Sequence, residues 1–405
     1  MNAKKTSKRL LLISEHFEPA TGATAQLMSD LAQGLSDRFW NVTVLTSTPG
    51  RSEASTTSHP QVVRLGGHLS ASKAKRAGVV QKALGGVLFF WSSLLWVFFR
   101  GRRGDLVFIV SNPPFIGLLG PLLRRLRRLN YVFLFQDLFP RTAVISGVLP
   151  AAGPITGSWL WLMRTVCRQS AATIVLSDTM RKRLLRDCGQ PLPLRVIHNW
   201  AVEQAKPTPR GQNPFAAEHG FQDRFTLQYS GNYGRLHDLL TLLEAARILK
   251  PHPVQFVFIG GGVKQSQIDV YREAFALQNV LRLPYQPRAS LADSLGACDL
   301  AAIGLVPGGE DTMAPCKFYG ILASGRGVVL VARRTCDLAQ IVLNEGIGVV
   351  VEPGESEALA EELLQLSKDP DRVQTMGDRA RSLYAKRFGR ERSVTAYAHL
   401  LEQLQ

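Results

Sequence analysis

Lys317 opens a short amphipathic stretch, KFYGILASG, which follows a loop carrying Glu310 and Asp311. A lysine at a helix start adds a point charge to unpaired N–H groups and to the positive end of the helix dipole. Two sources of positive potential at one spot favour a phosphate. The two carboxylates either accept from ribose hydroxyls or cap the helix. Upstream, SGNYGRLHD (Ser230 to Asp238) follows a strand pattern and precedes a helical one. Gly231 lets a ligand approach the backbone there, and Arg235 and His237 are within reach of diphosphate oxygens. A second glycine loop, Gly260 to Gly262, ends the next strand pattern. One such turn is ordinary, but two after successive strands imply a ligand cradle.

The first half of the chain offers two further loops. SEHFEPATGATAQ places Pro19, Gly22 and small residues before a helix whose free N–H groups face an anion or merely pack tightly. His16 and Glu18 in that loop suit contact with an acceptor sugar or base chemistry. FLFQDLFPR (Phe133 to Arg141) turns abruptly from apolar residues to Gln136 and Asp137. Polar groups at such a strand end are costly unless used, either in chemistry or in capping the next turn. No HExxH, GxSxG, P-loop, GxGxxG or CxxC is present, so metalloprotease, hydrolase, NTPase and nicotinamide readings lack support.

The elements that must carry these loops alternate. In the first half, strand patterns RLLLIS, NVTVLTS, QVVRLG, DLVFIVS, NYVFLFQD, ATIVLS and LRVIHN are interleaved with helical periodicity. A polar, proline-rich break, Ala201 to Gly220, reads as a linker. The grammar then restarts with FTLQYSG, VQFVFIGGG, VLRLPY, DLAAIGLV, RGVVLVA and IGVVVEP. The fold expectation is α/β, with two successive Rossmann-like domains over 1–200 and 201–389. The last helix, about 390–405, is expected to pack back on the first. Ligands in such sheets bind beyond the carboxyl ends of the strands.

Charge divides the two halves. Residues 1–200 hold 26 Lys+Arg against 9 Asp+Glu, a net of +17, and residues 201–405 hold 22 against 23, a net of −1, which together give the overall +16. The run Ala83 to Phe99 is uncharged and ends at Arg100, Arg102 and Arg103. As a helix its 17 residues reach roughly 26 Å, just short of a hydrocarbon core of about 30 Å. Together with FIGLLGPLLRRLRRLNY it fits an anionic membrane surface, or else two core helices. Nucleic acid is disfavoured, because the arginines border apolar blocks and not exposed stacking aromatics. Five cysteines without a CxxC fit reduced thiols in a cytoplasmic setting. The basic N-terminus leads into an apolar run too short for a signal peptide, which reads as a first strand.

YSGNYGRLHDLLTLLEAARIL, FVFIGGG, APCKFYGILASGRGVVLVA and GVVVEPGESEALAEELLQLSK, in this order, resemble the family 4 glycosyltransferases of the GT-B fold. The first half is similar more loosely, through its opening LLISEHFEPATGATAQ and through FQDLFP. Within the family, the subgroup it resembles is that of bacterial fucosamine and colanic acid transferases. The resemblance implies a nucleotide sugar held mainly by the second domain and an acceptor held by the first; the expectation is a UDP-linked donor, with GDP left open, and a polyprenyl-diphosphate-linked saccharide acceptor. It also implies retention of anomeric configuration, no cofactor, no bound metal, and a location at the inner face of the plasma membrane. By position, Gly22, Gly231, Asn232, Arg235, His237, Gly261 and Lys317 fall near the diphosphate. Pro284 and Tyr285 border the base, and Glu310 and Asp311 stand by the ribose. Gln136 takes the place of a cleft histidine, with Asp137 retained.

This chain departs from the family pattern at several places. Asn232 and His237 stand where many relatives have Arg and Lys, and Thr312 and Gly320 stand where they have a spaced glutamate pair. Two rival readings follow: a nucleotide-sugar 2-epimerase of similar fold, and a non-catalytic scaffold that keeps the sugar-nucleotide pocket.

Overall fold

The computed structural model describes residues 8–38, 40–50, 60–66, 79–189, 191–201, 210–221, 224–287 and 290–404. The chain divides into two compact units. One comprises residues up to Val144, Leu149–His198 and Glu391 onward; the other comprises Ile145–Val148 and Asn199–Arg390.

The first unit is built on seven strands: β1 (Lys8–Ile13), β2 (Trp40–Thr46), β3 (Gln61–Arg64), β4 (Leu106–Val110), β5 (Asn130–Leu134), β6 (Ala172–Val175) and β7 (Leu194–Val196). They form one parallel sheet in the order β3-β2-β1-β4-β5-β6-β7. Leu10 to Ile13 and Leu106 to Ile109 are fully or almost fully buried, as strands covered on both faces must be. The C-terminal helix Arg390–Gln403 belongs to this unit. Val394 seats against Gly34 so closely that a Cβ there would lie 2.7 Å from Val394 Cγ1, and buried Tyr397 meets the Phe108 ring edge-on.

The second unit has six strands: β8 (Phe225–Asn232), β9 (Val254–Gly261), β10 (Val280–Leu283), β11 (Leu300–Gly304), β12 (Gly327–Val331) and β13 (Gly348–Val351). They too are parallel, in the order β10-β9-β8-β11-β12-β13. All thirteen apolar runs singled out in the sequence are strands of these two sheets. The expected linker is in part a folded element. Residues 202–209 lie outside the described segments, but Asn213 caps the helix Pro214–Glu218, and Phe215 is buried beside Phe221. A polar, proline-bearing stretch hides such an element because its one large apolar anchor breaks no local pattern.

Candidate active site

The second unit gathers its glycine loops at the carboxyl ends of β8, β9 and β11. β8 and β9 run side by side to their tips, where Gly231 pairs with Gly260 and Asn232 with Gly261. Gly260 has φ +134°, and a Cβ there would collide with the Gly231 carbonyl. Gly262, at φ +152°, would place a Cβ 2.7 Å from both Asn232 Oδ1 and Tyr233 O. These glycines are required because two strand ends and the following loop touch through bare backbone. The loop after β8 is stitched to β11 as well, since Val306 N donates to Leu236 O.

Lys317 begins the helix Lys317–Ala323, and its aliphatic end approaches Gly231. A Cβ on Gly231 would be 3.5 Å from Lys317 Nζ. The ammonium sits 3.6 Å from the centroid of the Tyr229 ring. Although the lysine as a whole is partly exposed, Nζ is buried and has no hydrogen-bond partner among the described residues. Burial holds its pKa well below the ordinary 10.5. An ammonium so placed keeps only a cation–π contact and lacks the acceptors it needs.

The Tyr229 hydroxyl donates to Asn232 O over 3.1 Å and also bonds His237 Nδ1. His237 is buried, and its pKa is pushed down to about 3, chiefly by burial and then by the charges of Lys317 and Lys264. It is therefore a neutral imidazole at working pH and brings no positive charge to a diphosphate. Lys264 closes this side by donating to His237 O at 2.6 Å. Tyr285 is exposed and lays its ring against Gly261, with its hydroxyl donating to Gly261 O at 3.0 Å. Pro284 beside it is exposed. Arg235 is exposed in the turn after β8 and bonds to no described residue, so it does not join the buried cluster.

Glu310 and Asp311 do not cap the lysine helix. Its N-cap is Cys316, whose side chain makes no capping bond, and at seven residues its dipole is a minor source of potential. Both carboxylates instead turn to Arg333, with Nε bonding Glu310 and Nη2 bonding Asp311 at 2.8 Å. Glu310 is buried, so the arginine is what makes its charge tolerable there. Gly320, at the place of a family glutamate, faces Leu295 at an ordinary contact distance, so the site has room for a side chain.

In the first unit, the four candidate catalytic residues lie beyond the carboxyl ends of β1 and β5. The loop after β1 is held by β2, because the Glu15 carbonyl accepts from Thr46, Ser47 and Thr48 hydroxyls at 2.9–3.2 Å. His16 is half exposed, with Nε2 3.9 Å from the Glu15 carboxylate, whose pKa is raised by burial and drawn back by His16. Glu18 is exposed, and its backbone is tied to Ser29 and Arg64. Gly22 precedes the helix Ala23–Ser36 at its N-cap and has open space around it. Beyond β5, Gln136 N donates to Ser111 Oγ, while its buried Nε2 has no partner. Asp137 lies exposed at the same tip. The protein mass around it raises its carboxyl above the ordinary range, a rise that contact with solvent moderates. Strand β4 separates the two loops.

Tyr229, Lys264 and Arg333 are site residues that sequence reasoning missed. Tyr229 carried a readable signal, since it lies two residues before Gly231 and so on the same face of β8. Arg333 carried none, being 22 residues from the carboxylate it clamps.

The comparisons with known proteins agree along the chain. Residues 22–200 match the glycosyl transferase 4-like domain, and residues 212–383 match the glycosyl transferases group 1. The chain is 27% identical to glycosyltransferase WbjE of Pseudomonas aeruginosa over 75% of its own length and 76% of that protein. It is 32% identical to WcaI of Escherichia coli, a colanic acid biosynthesis glycosyl transferase, over 32% of each. Among solved structures, sucrose-phosphate synthase of Thermosynechococcus elongatus superposes with a TM-score of 0.79 at 18% identity, covering 98% of this chain and 99% of that one. Anabaena HepE in complex with UDP and glucose superposes with a TM-score of 0.74 at 15% identity, over 98% and 100%. With two parallel α/β sheets in tandem and both family domains in order, the chain belongs to the family 4 glycosyltransferases of the GT-B fold.

Proposed function

We propose that this glycosyltransferase moves a sugar from a UDP-linked donor to a polyprenyl-diphosphate-linked saccharide, with retention, in the assembly of a cell-surface polysaccharide at the cytoplasmic leaflet. The observation that carries the donor clause is Lys317 Nζ, buried beside Gly231 and Tyr229 without a hydrogen-bond acceptor. A diphosphate supplies the missing acceptors, and the lysine then meets the charge that develops on the leaving group. Bare backbone at Gly231, where a Cβ would meet only the end of the Lys317 side chain, lets that group approach beside the lysine. Arg235, exposed on the turn after β8, is free to join it. Tyr285 offers an aromatic face for the base. Fixed positive charge does the work of a divalent ion, so none is required.

UDP is favoured because HepE, which shares the fold, is known in complex with UDP-glucose. The polysaccharide clause draws on the name of WcaI. In the first unit, His16, Glu18, Gln136 and Asp137 are assigned to catalysis at the acceptor. The match to glycosyltransferase domains along both halves favours transfer over epimerisation.

Calorimetric titration with UDP and GDP in the presence of EDTA tests this reading. UDP is expected to bind without metal, and Lys317→Met to abolish the signal. Wild-type protein that binds no nucleoside diphosphate would overturn it.

A further inference from the structure

The long apolar helix Val79–Arg100 holds a stretch, Ala83–Arg100, long and apolar enough to cross a membrane, yet one third of that stretch is buried in the protein. One side is fastened to the sheet, with Phe89, Ser93 and Val97 fully buried and Gly86 pressed against Pro113 and Phe115. The other side exposes Leu84, Leu88, Trp91, Leu95 and Phe99, each more than half accessible. Their spacing of three and four residues makes one stripe along the helix, about 22 Å long. A contiguous apolar strip of this kind marks an interaction surface.

The stripe ends in fixed charge. Arg100, Arg102 and Arg103 follow it directly, and Arg125 and Arg128 are exposed on and just after the neighbouring helix Leu119–Arg127, beside exposed Leu126. The two helices are joined where Arg127 donates to Gly101 O at 2.8 Å and stacks over Phe98. Between residues 79 and 128 the one carboxylate is Asp105, which is buried and bonded to Arg9. The helix Pro154–Gln169 continues the layer, bonded to its neighbour through Arg124 and the Gln169 carbonyl. It too lacks acidic residues and exposes Trp161.

We propose that this face of the first unit docks on an anionic bilayer. The helix Val79–Arg100 would lie in the plane of the interface, its stripe among the acyl chains and the arginines on the headgroups. Apolar side chains with arginines and no competing carboxylate are what such a surface selects. A second copy of the chain fits less well, because a two-fold contact pairs this face with itself, and the face offers its arginines no exposed carboxylate. The buried side of the helix favours docking in the interface plane over a span. The proposal gives the lipid-linked acceptor reading its surface and rests on that reading only for its purpose.

Flotation of the full chain with phosphatidylcholine vesicles, with and without phosphatidylglycerol, tests it. The protein is expected to float with the anionic vesicles and to be released by salt. Leu88→Glu with Leu95→Glu should reduce binding by at least about tenfold, and each of Arg102→Ser and Arg103→Ser by roughly fivefold. All these positions are exposed, so melting temperature and UDP affinity should not move. A folded wild-type protein that ignores anionic vesicles, or floats equally with neutral ones, overturns the proposal. So does a Leu88→Glu/Leu95→Glu protein that floats like wild type, or a wild-type dimer that this change splits without any vesicle binding. UDP titration of the same samples keeps the two readings apart. Vesicle binding without nucleotide binding would sink the donor assignment alone, and the reverse would sink the docking face alone.

Discussion

The two units share a parallel, doubly wound sheet and differ in where they keep positive charge. The first carries all of the excess, and much of it lies at the surface on arginines that border apolar residues. The second is close to neutral, yet it buries one ammonium, Lys317 Nζ, with no acceptor beside it. Net charge is therefore a poor guide to where ligand chemistry sits. A surface arginine is solvated and interchangeable, and each contributes little by itself. A buried lysine without partners is destabilising in the free protein, and such a group is retained where something else completes it.

Lys317→Met breaks this contrast most directly. Transfer is expected to fall by a factor on the order of 100 or more, the usual effect of removing one preorganised group from developing charge. Thermal melting of the unliganded protein should move the other way or stay level, because an unpaired buried charge has been removed. A variant that loses stability and activity together would make the lysine a structural residue.

The pH dependence follows from the same group. Burial depresses Lys317 below its ordinary 10.5, and a bound diphosphate would raise it again. Binding then takes up a proton, so UDP affinity is expected to fall as pH rises from the depressed value toward 10.5, and Lys317→Met should flatten that dependence. Stability of the free protein has the opposite slope. The unfolded lysine holds a proton that the folded one has surrendered, so this group's contribution to stability improves with rising pH. Calorimetry and chemical denaturation across the alkaline range measure both.

Tyr229 sharpens the contrast at smaller amplitude. Tyr229→Leu removes the ring beneath the ammonium and should weaken UDP binding about tenfold, whereas Tyr229→Phe, which keeps the ring, should cost much less. Equal losses would shift the role to the hydroxyl and its bonds to Asn232 and His237. Arg333→Gln strands Glu310 and Asp311. About 2 kcal/mol of stability should be lost, less than for a wholly buried pair because Arg333 is 39% exposed. In the first unit, Arg102→Ser should leave the denaturation midpoint nearly unchanged, within about 0.5 kcal/mol.

The strands were legible because fully buried parallel strands read as unbroken apolar runs, and each of the thirteen does so. The glycine loops were legible for a related reason, since Gly231 and Gly260–Gly262 end two of those runs. The helix Pro214–Glu218 was not, because its anchor Phe215 sits in a stretch composed like a linker. Glu310 and Asp311 looked like caps or ribose ligands because the nearest helix start is local, while the arginine that claims them is distant in the chain.

From the chain alone came the two sheets, the order of their loops, the uneven charge and the choice of Lys317, because burial periodicity and glycine placement are local properties. The tertiary structure alone decided that Lys317 points at bare backbone over Tyr229, that His237 is neutral, and that Arg333 occupies two carboxylates. It also decided which side of the helix Val79–Arg100 faces out. Desolvation and pairing depend on what other segments bring to a side chain, and one-dimensional spacing carries no record of that.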